Sequence, residues 1–434
     1  MLAISLALVT AGCGGGGGSQ SLPASAAVAS GNSGAPVGPS GSSGAAAPVT
    51  TTAPGVAAPV AAPATAAPGI VATAAPTAAA AVIQSTVFQN GIEYATTFRP
   101  YSSSSVWNTP VSANPTIASY SAAVVAHQFP NGQNDQPFRN TEAGINDYSH
   151  PIFYSVATDP LVNIHCNLYC DPIDNGGPPA QIRIPAKAQP AGGNDHHFDV
   201  IQPDGTEISM WGVNESSYPL PNWTNGSTLN AGNITNCGSF MSGTGTAAVG
   251  AGPTAGGACD DAGIIHANEL LAGRINHALF FIAECAVGWQ FPAFPNASTD
   301  TCSSGVGPPL GGRMWYDVPD ATTNANPNLQ PWEKAILNAL HDYGAFLEDD
   351  VGGGAYATGV TASVDSEEPM TDFGTADPFA ALAAQGWRTI SIPNADGHGN
   401  SRVRWVGGDP WLPNGVDFPN HIHWLAPCSA QGSC

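Results

Sequence analysis

From residue 83 onward, short apolar stretches alternate with clusters of Gly, Pro, Asn and Asp. Eight of them read as strands: "HPIFYSVA", "AQIRIPAK", "FDVIQPDG", "TEISMWGV", "HALFFIAE", "RMWYDV", "WRTISIP" and "SRVRWVGG". Strands this short, with turn signals this frequent, predict a mainly β head with a β-sandwich or jelly-roll build. One segment has a helical period instead, "NLQPWEKAILNALHDYGAFLEDD" (328–350), with Trp332, Ile336, Ala339 and Leu340 on one face. Pro331 sits near its start and Gly344 interrupts it near its end. A shorter helix is expected at "DPFAALAAQGW" (377–387). There is no repeat period, phosphate-binding loop or dinucleotide fingerprint.

The chain before this head has a different texture. Residues 2–12, "LAISLALVTAG", are apolar and lead into Cys13 and a run of glycines. The stretch is too short for a membrane-spanning helix and reads as the core of an export signal. Residues 14–82 are rich in Ala, Pro, Gly, Ser and Thr, without a period or an aromatic residue. Such a tract buries too little apolar surface to offset its ordering entropy, so a disordered stalk is expected. The expected organisation is thus signal and lipidation site (1–13), linker (14–82) and a disulfide-stabilised β domain (83–434).

Charge narrows the partners. Acidic residues outnumber basic ones 32 to 10, for a formal net charge of −22. Phosphate binding requires clustered Lys and Arg, so nucleic acid is excluded as a partner. A neutral glycan fits this balance better than a polyanionic one.

There are nine cysteines. If Cys13 is lipidated, an even number is left for an exported head. Their order suggests the local pairs Cys166–Cys170, Cys237–Cys259, Cys285–Cys302 and Cys428–Cys434.

The stretch "GGNDHHFDVIQPDG" (192–205) carries the densest candidate chemistry. Side chains alternate faces along a strand. One row is then His196, Phe198 and Val200, expected to face the core. The other is Asp195, His197 and Asp199, expected to face a groove as a carboxylate–imidazole–carboxylate ribbon suited to acid/base work. A second cluster, "CDDAGIIHANELLAGRINHALFF", offers His266 and Glu269 three residues apart, reading as a short helical turn, a Gly break and a strand. The catalytic candidates are therefore Asp195, His197, Asp199, His266 and Glu269.

A third cluster, "DFPNHIHWLAPC", places His421 and His423 on one strand face. They join Trp211, Arg274 and Trp315 as candidate substrate-binding residues, because flat rings stack on sugar faces. No metal ligand and no cofactor are assigned. A divalent metal is the open alternative, assembled from imidazoles such as those of His150, His165, His197 and His266.

The "TAGC" ending before the glycine run resembles a bacterial lipoprotein processing site. The head, in its general build, resembles secreted bacterial β-sandwich proteins that act on polysaccharides. No named family's catalytic motif matches, so no residue role is carried over. These resemblances imply an extracellular or cell-envelope protein, anchored to the membrane through Cys13. The expected function is a carbohydrate-active enzyme, by two-carboxylate hydrolysis rather than β-elimination. The alternative is a surface adhesin or glycan-binding module without catalysis.

Overall fold

The computed structural model describes residues 100–129, 142–143, 150–170, 180–191, 195–213, 222–246, 252–283, 285–295, 301–350, 361–362, 382–392, 402–406 and 416–427. Residues 1–82, over which an export signal, a lipidation site at Cys13 and a linker are expected, lie outside the described residues.

The fold is mainly β, as the strand pattern predicts. A six-stranded sheet has the order β2 (Ile152–Tyr154), β5 (Phe198–Ile201), β6 (Thr206–Trp211), β7 (Thr228–Ser239), β3 (Leu161–Cys170), β4 (Gln181–Arg183). A five-stranded sheet has the order β11 (Thr361–Ala362), β8 (Leu279–Ala283), β10 (Ala345–Asp350), β9 (Arg313–Tyr316), β14 (Ile422–Trp424). A small third sheet joins β1 (Glu142–Ala143), β13 (Arg402–Val406) and β12 (Arg388–Ile392). Each of the eight predicted stretches contains one of these strands.

The two larger sheets meet through Ile152 and Ile201 on one side and Phe280 on the other, with Phe240 and Ile264 between them. The far face of the six-stranded sheet carries Phe153, Phe198, Val200, Ile208 and Met210, and closes on Ile184 and Trp223. The far face of the five-stranded sheet carries Phe281, Met314, Leu347 and Trp424 and is covered by helices. These are α1 (Ser121–Gln128), α2 (Ala267–Ala272) and α4 (Pro331–Asp342). Two short helices, α3 (Asp320–Ala325) and α5 (Phe418–His421), complete the α-helices of the described residues.

Helix α4 begins where the sequence indicates. Pro331 opens it, and the Glu333 carboxylate accepts the Gln330 N–H at 2.6 Å. Trp332, Ile336, Ala339 and Leu340 form its buried face. Its end is a correction. The helix stops at Asp342, Gly344 takes a left-handed φ of 68°, and "AFLEDD" is strand β10. A Cβ on Gly344 would lie 2.5 Å from the Met314 carbonyl oxygen, so the turn requires glycine. The second expected helix is, over its described part, a single 3₁₀ turn at Ala383–Gln385.

Cys237–Cys259 and Cys285–Cys302 are bonded as the local pairing suggests. Cys166 is disulfide-bonded as well. Cys428, Cys434 and the side chain of Cys170 lie outside what is described.

Candidate functional site

The polar row of β5 points between the two large sheets, into a closed layer. Asp199 is wholly buried, His197 is 1% exposed and Asp195 is half-buried. Alternation holds along β5, with Phe198 and Val200 in the opposite core. Of the row expected on a groove, His197 and Asp199 are nevertheless sealed, because the five-stranded sheet packs over them. His196 is also buried and has a φ of 45°, so the chain turns there and the strand starts at Phe198.

The turn at 259–263 supplies the other half of the layer. Its disulfide ties Cys259 to β7, and the Asp260 N–H donates to Ser209 Oγ of β6 at 3.1 Å. Gly263, at φ 82°, lies so close to β8 that a Cβ would clash with the Phe280 backbone nitrogen. The turn therefore presses Asp260 and Asp261 against the β5–β6 face.

Asp260 is the hub. Its Oδ1 accepts from His150 Nδ1 at 2.9 Å and from His197 Nδ1 at 3.1 Å. The two imidazoles stack with centroids 4.1 Å apart and planes 30° apart. Phe280 packs on His150 at 4.8 Å. Burial alone would raise the Asp260 pKa, but the two histidines hold it down at about 2. Burial works against the charged form of His197, yet Asp260, with Asp195 and Asp349, raises it to about 9. Burial and the His197 charge lower His150 instead. One histidine of the pair carries the charge, and its neighbour stays neutral.

Beside this hub lies a carboxyl pair. Burial, reinforced by Glu207 and the two turn aspartates, pushes Asp199 well above the carboxylate range. Burial, with Asp261, raises Glu207 to about 8. Tyr101 donates to Glu207 Oε1 at 2.9 Å. Tyr101 has φ 68°, a strained backbone for a non-glycine residue. Neither Tyr101 nor Glu207 is legible from the sequence, since each stands outside any His- or Asp-rich motif.

His266 and Glu269 lie at the start of α2. His266 is the N-cap residue, and Glu269 Oε2 accepts its N–H at 3.1 Å. The same oxygen takes the His277 ring nitrogen at 3.2 Å, while His266 Nε2 lies 3.1 Å from Asp261 Oδ1. All of these are buried. The pair thus caps a helix and links it to the aspartate turn.

The five substrate-binding candidates divide. Trp211 donates its indole N–H to Asp195 at 3.1 Å, at the margin of the buried layer. Arg274 is exposed, and its side chain donates to the nearby Asn276. Trp315, His421 and His423 come together on the outer face of β9 and β14. There Met314, Tyr316, Ile422 and Trp424 point to the core, and Trp315 and His423 lie on the opposite face, partly exposed. Asp317 is bracketed by His421 Nδ1 at 2.6 Å and His423 Nε2 at 2.9 Å. The three side chains are 42%, 30% and 32% exposed for His421, His423 and Asp317. Trp315 lies 5.9 Å from the His423 ring and 6.0 Å from that of His341, at shallow angles. Its indole N–H is taken by the His341 carbonyl, so one orientation of the ring is fixed. His421 itself ends α5 and only His423 is on the strand, which corrects the expected shared strand face. His165 is exposed, outside both clusters.

No family model matches the chain, and no curated protein or solved structure matches it either.

Proposed function

We propose that the head is an exported, surface-displayed glycan-binding module, with the β9–β14 outer face as its contact surface. The observation that carries this reading is the division of exposure. Four of the five candidate acid/base residues, His197, Asp199, His266 and Glu269, are at most 5% exposed, out of reach of a polymer, and the fifth, Asp195, is half-buried and holds the Trp211 indole. The accessible cluster is a fixed tryptophan beside two imidazoles and the carboxylate they orient. An indole offers its face to the C–H side of a sugar ring, and Asp317 and the imidazoles offer hydrogen bonds to ring hydroxyls. The net charge of −22 favours a neutral glycan.

Export rests on the apolar segment before Cys13 and on the disulfides, which fit an oxidising compartment. Among the described residues no helix is long and apolar enough to cross a membrane. Attachment in this reading is through a lipid on Cys13.

The second reading is a polysaccharide-cleaving enzyme that opens its buried layer to substrate. The convergence of His197, Asp199 and Glu207 beside the strained Tyr101 favours it. Migration of the full chain through gels holding neutral or anionic polysaccharides, with reducing-end release assayed in parallel, separates the two. Retardation by a neutral polymer without new ends supports the binding module. New reducing ends that disappear in Asp199→Asn support the enzyme.

A further inference from the structure

We propose that His150, His197 and Asp260 form a buried binding site for one divalent transition-metal cation of the zinc class. The site is independent of the glycan-binding face.

Geometry is the first argument. His150 Nδ1, His197 Nδ1 and a carboxylate oxygen of Asp260 all lie within 4.8 Å of one another. The two nitrogens approach the same oxygen at 2.9 and 3.1 Å. Donors on a tetrahedral zinc, at bonds of about 2.0–2.1 Å, lie roughly 3.3 Å apart, close to the two nitrogen–oxygen separations found here.

The second argument is an unmet polar atom. Asp260 is wholly buried, both histidines donate to its Oδ1, and its Oδ2 has no hydrogen-bond partner among the described residues. An orphaned carboxylate oxygen in a dry interior is costly. A cation held by the carboxylate removes that cost.

The third argument is the type of the donors and how firmly they are held. The ligands come from the segments entering β2 and β5 and from the turn at 259–263. These are braced by Ser209 and by the Cys237–Cys259 disulfide. Two imidazoles and one carboxylate suit zinc or a neighbouring transition metal, whereas calcium and magnesium prefer oxygen-only shells.

The other two groupings with mixed donors, His127 with Cys285 and Cys302 and Glu207 with Cys237 and Cys259, each have both sulfurs in a disulfide and no thiolate to offer. The exposed His421–Asp317–His423 cluster uses both carboxylate oxygens, one per imidazole, and its nitrogens do not converge on one point.

The test is metal uptake by the purified full chain after chelator dialysis. Titration with zinc chloride, followed by calorimetry and elemental analysis, is expected to give one equivalent bound at micromolar affinity or tighter. Asp260→Asn and His197→Gln should each weaken uptake at least 100-fold, while the His421→Ala/His423→Ala double variant keeps it. Cobalt(II) loading of the unmutated chain covers the case in which the buried variants do not fold. It should give d–d bands of a nitrogen/oxygen site without sulfur charge transfer. Absence of stoichiometric uptake, uptake lost only in the His421/His423 variant, or a thiolate band would overturn the proposal.

Discussion

His150 and His197 stack at 4.1 Å and direct both Nδ1 atoms onto one oxygen of Asp260. Two imidazoles so close cannot both be charged at modest cost, and the buried carboxylate balances one of them. The relationship makes His197 part of the fold's interior, whatever else it does.

It follows that His197→Ala is destabilising, contrary to the open-groove expectation from strand parity. Removing one partner of a buried charged pair costs about 3–5 kcal/mol. Phe198→Ala on the opposite face costs a similar 3–5 kcal/mol, because the ring is wholly buried. Chemical denaturation of both variants checks this. A His197→Ala protein as stable as the parent would show that the layer is open to water.

What was legible in the sequence, and what was not, follows from this strand. Alternation placed Phe198 and Val200 correctly, because an apolar row must be buried. It could not tell that the polar row is buried too, since nothing local to 195–201 reports a second sheet packed above it. For the same reason β3 and β7 escaped notice. Their asparagines and threonines interrupt the apolar pattern, yet Asn233 and Thr235 are buried between sheets. Trp315 and His423 were recognisable one at a time by type. Their contact depends on β14 pairing with β9 across more than a hundred residues, with His423 opposite Trp315. Asp317, which binds both histidines, carried no motif.

Stability of the metal-free protein should fall from pH 5 to pH 8. Burial holds Glu207 and Glu348 at about 8 and Asp349 at about 7, all raised above their unfolded values near 4. The native state then binds more protons than the unfolded chain across that window, so unfolding becomes easier as pH rises. His197, raised to about 9, acts in the same direction, and the lowered His150 opposes it. Asp260, held at about 2, protects the fold down to roughly pH 4. Thermal melts in chelator at the two pH values should differ by several degrees, and Glu348→Gln should reduce the difference. A higher melting temperature at pH 8 would refute this assignment of buried protons.

Gly263→Ala should destabilise the head by on the order of 2 kcal/mol or more, through both its left-handed φ and the close contact with β8. Because that turn carries Asp260 and Asp261, hydrogen exchange should quicken at 259–266 more than in α4. Unchanged exchange there would mean that the turn is held by its disulfide alone.

The glycan-binding face gives the most direct test of the account. Calorimetric titration of the full chain with neutral oligosaccharides taken from the polymer that best retards it in gels should show saturable binding. Trp315→Ala should weaken that binding at least tenfold, a loss of about 1.4 kcal/mol, while its melting temperature stays within a few degrees of the parent. Binding that survives Trp315→Ala and His423→Ala unchanged, or no binding to any neutral glycan, would contradict the account.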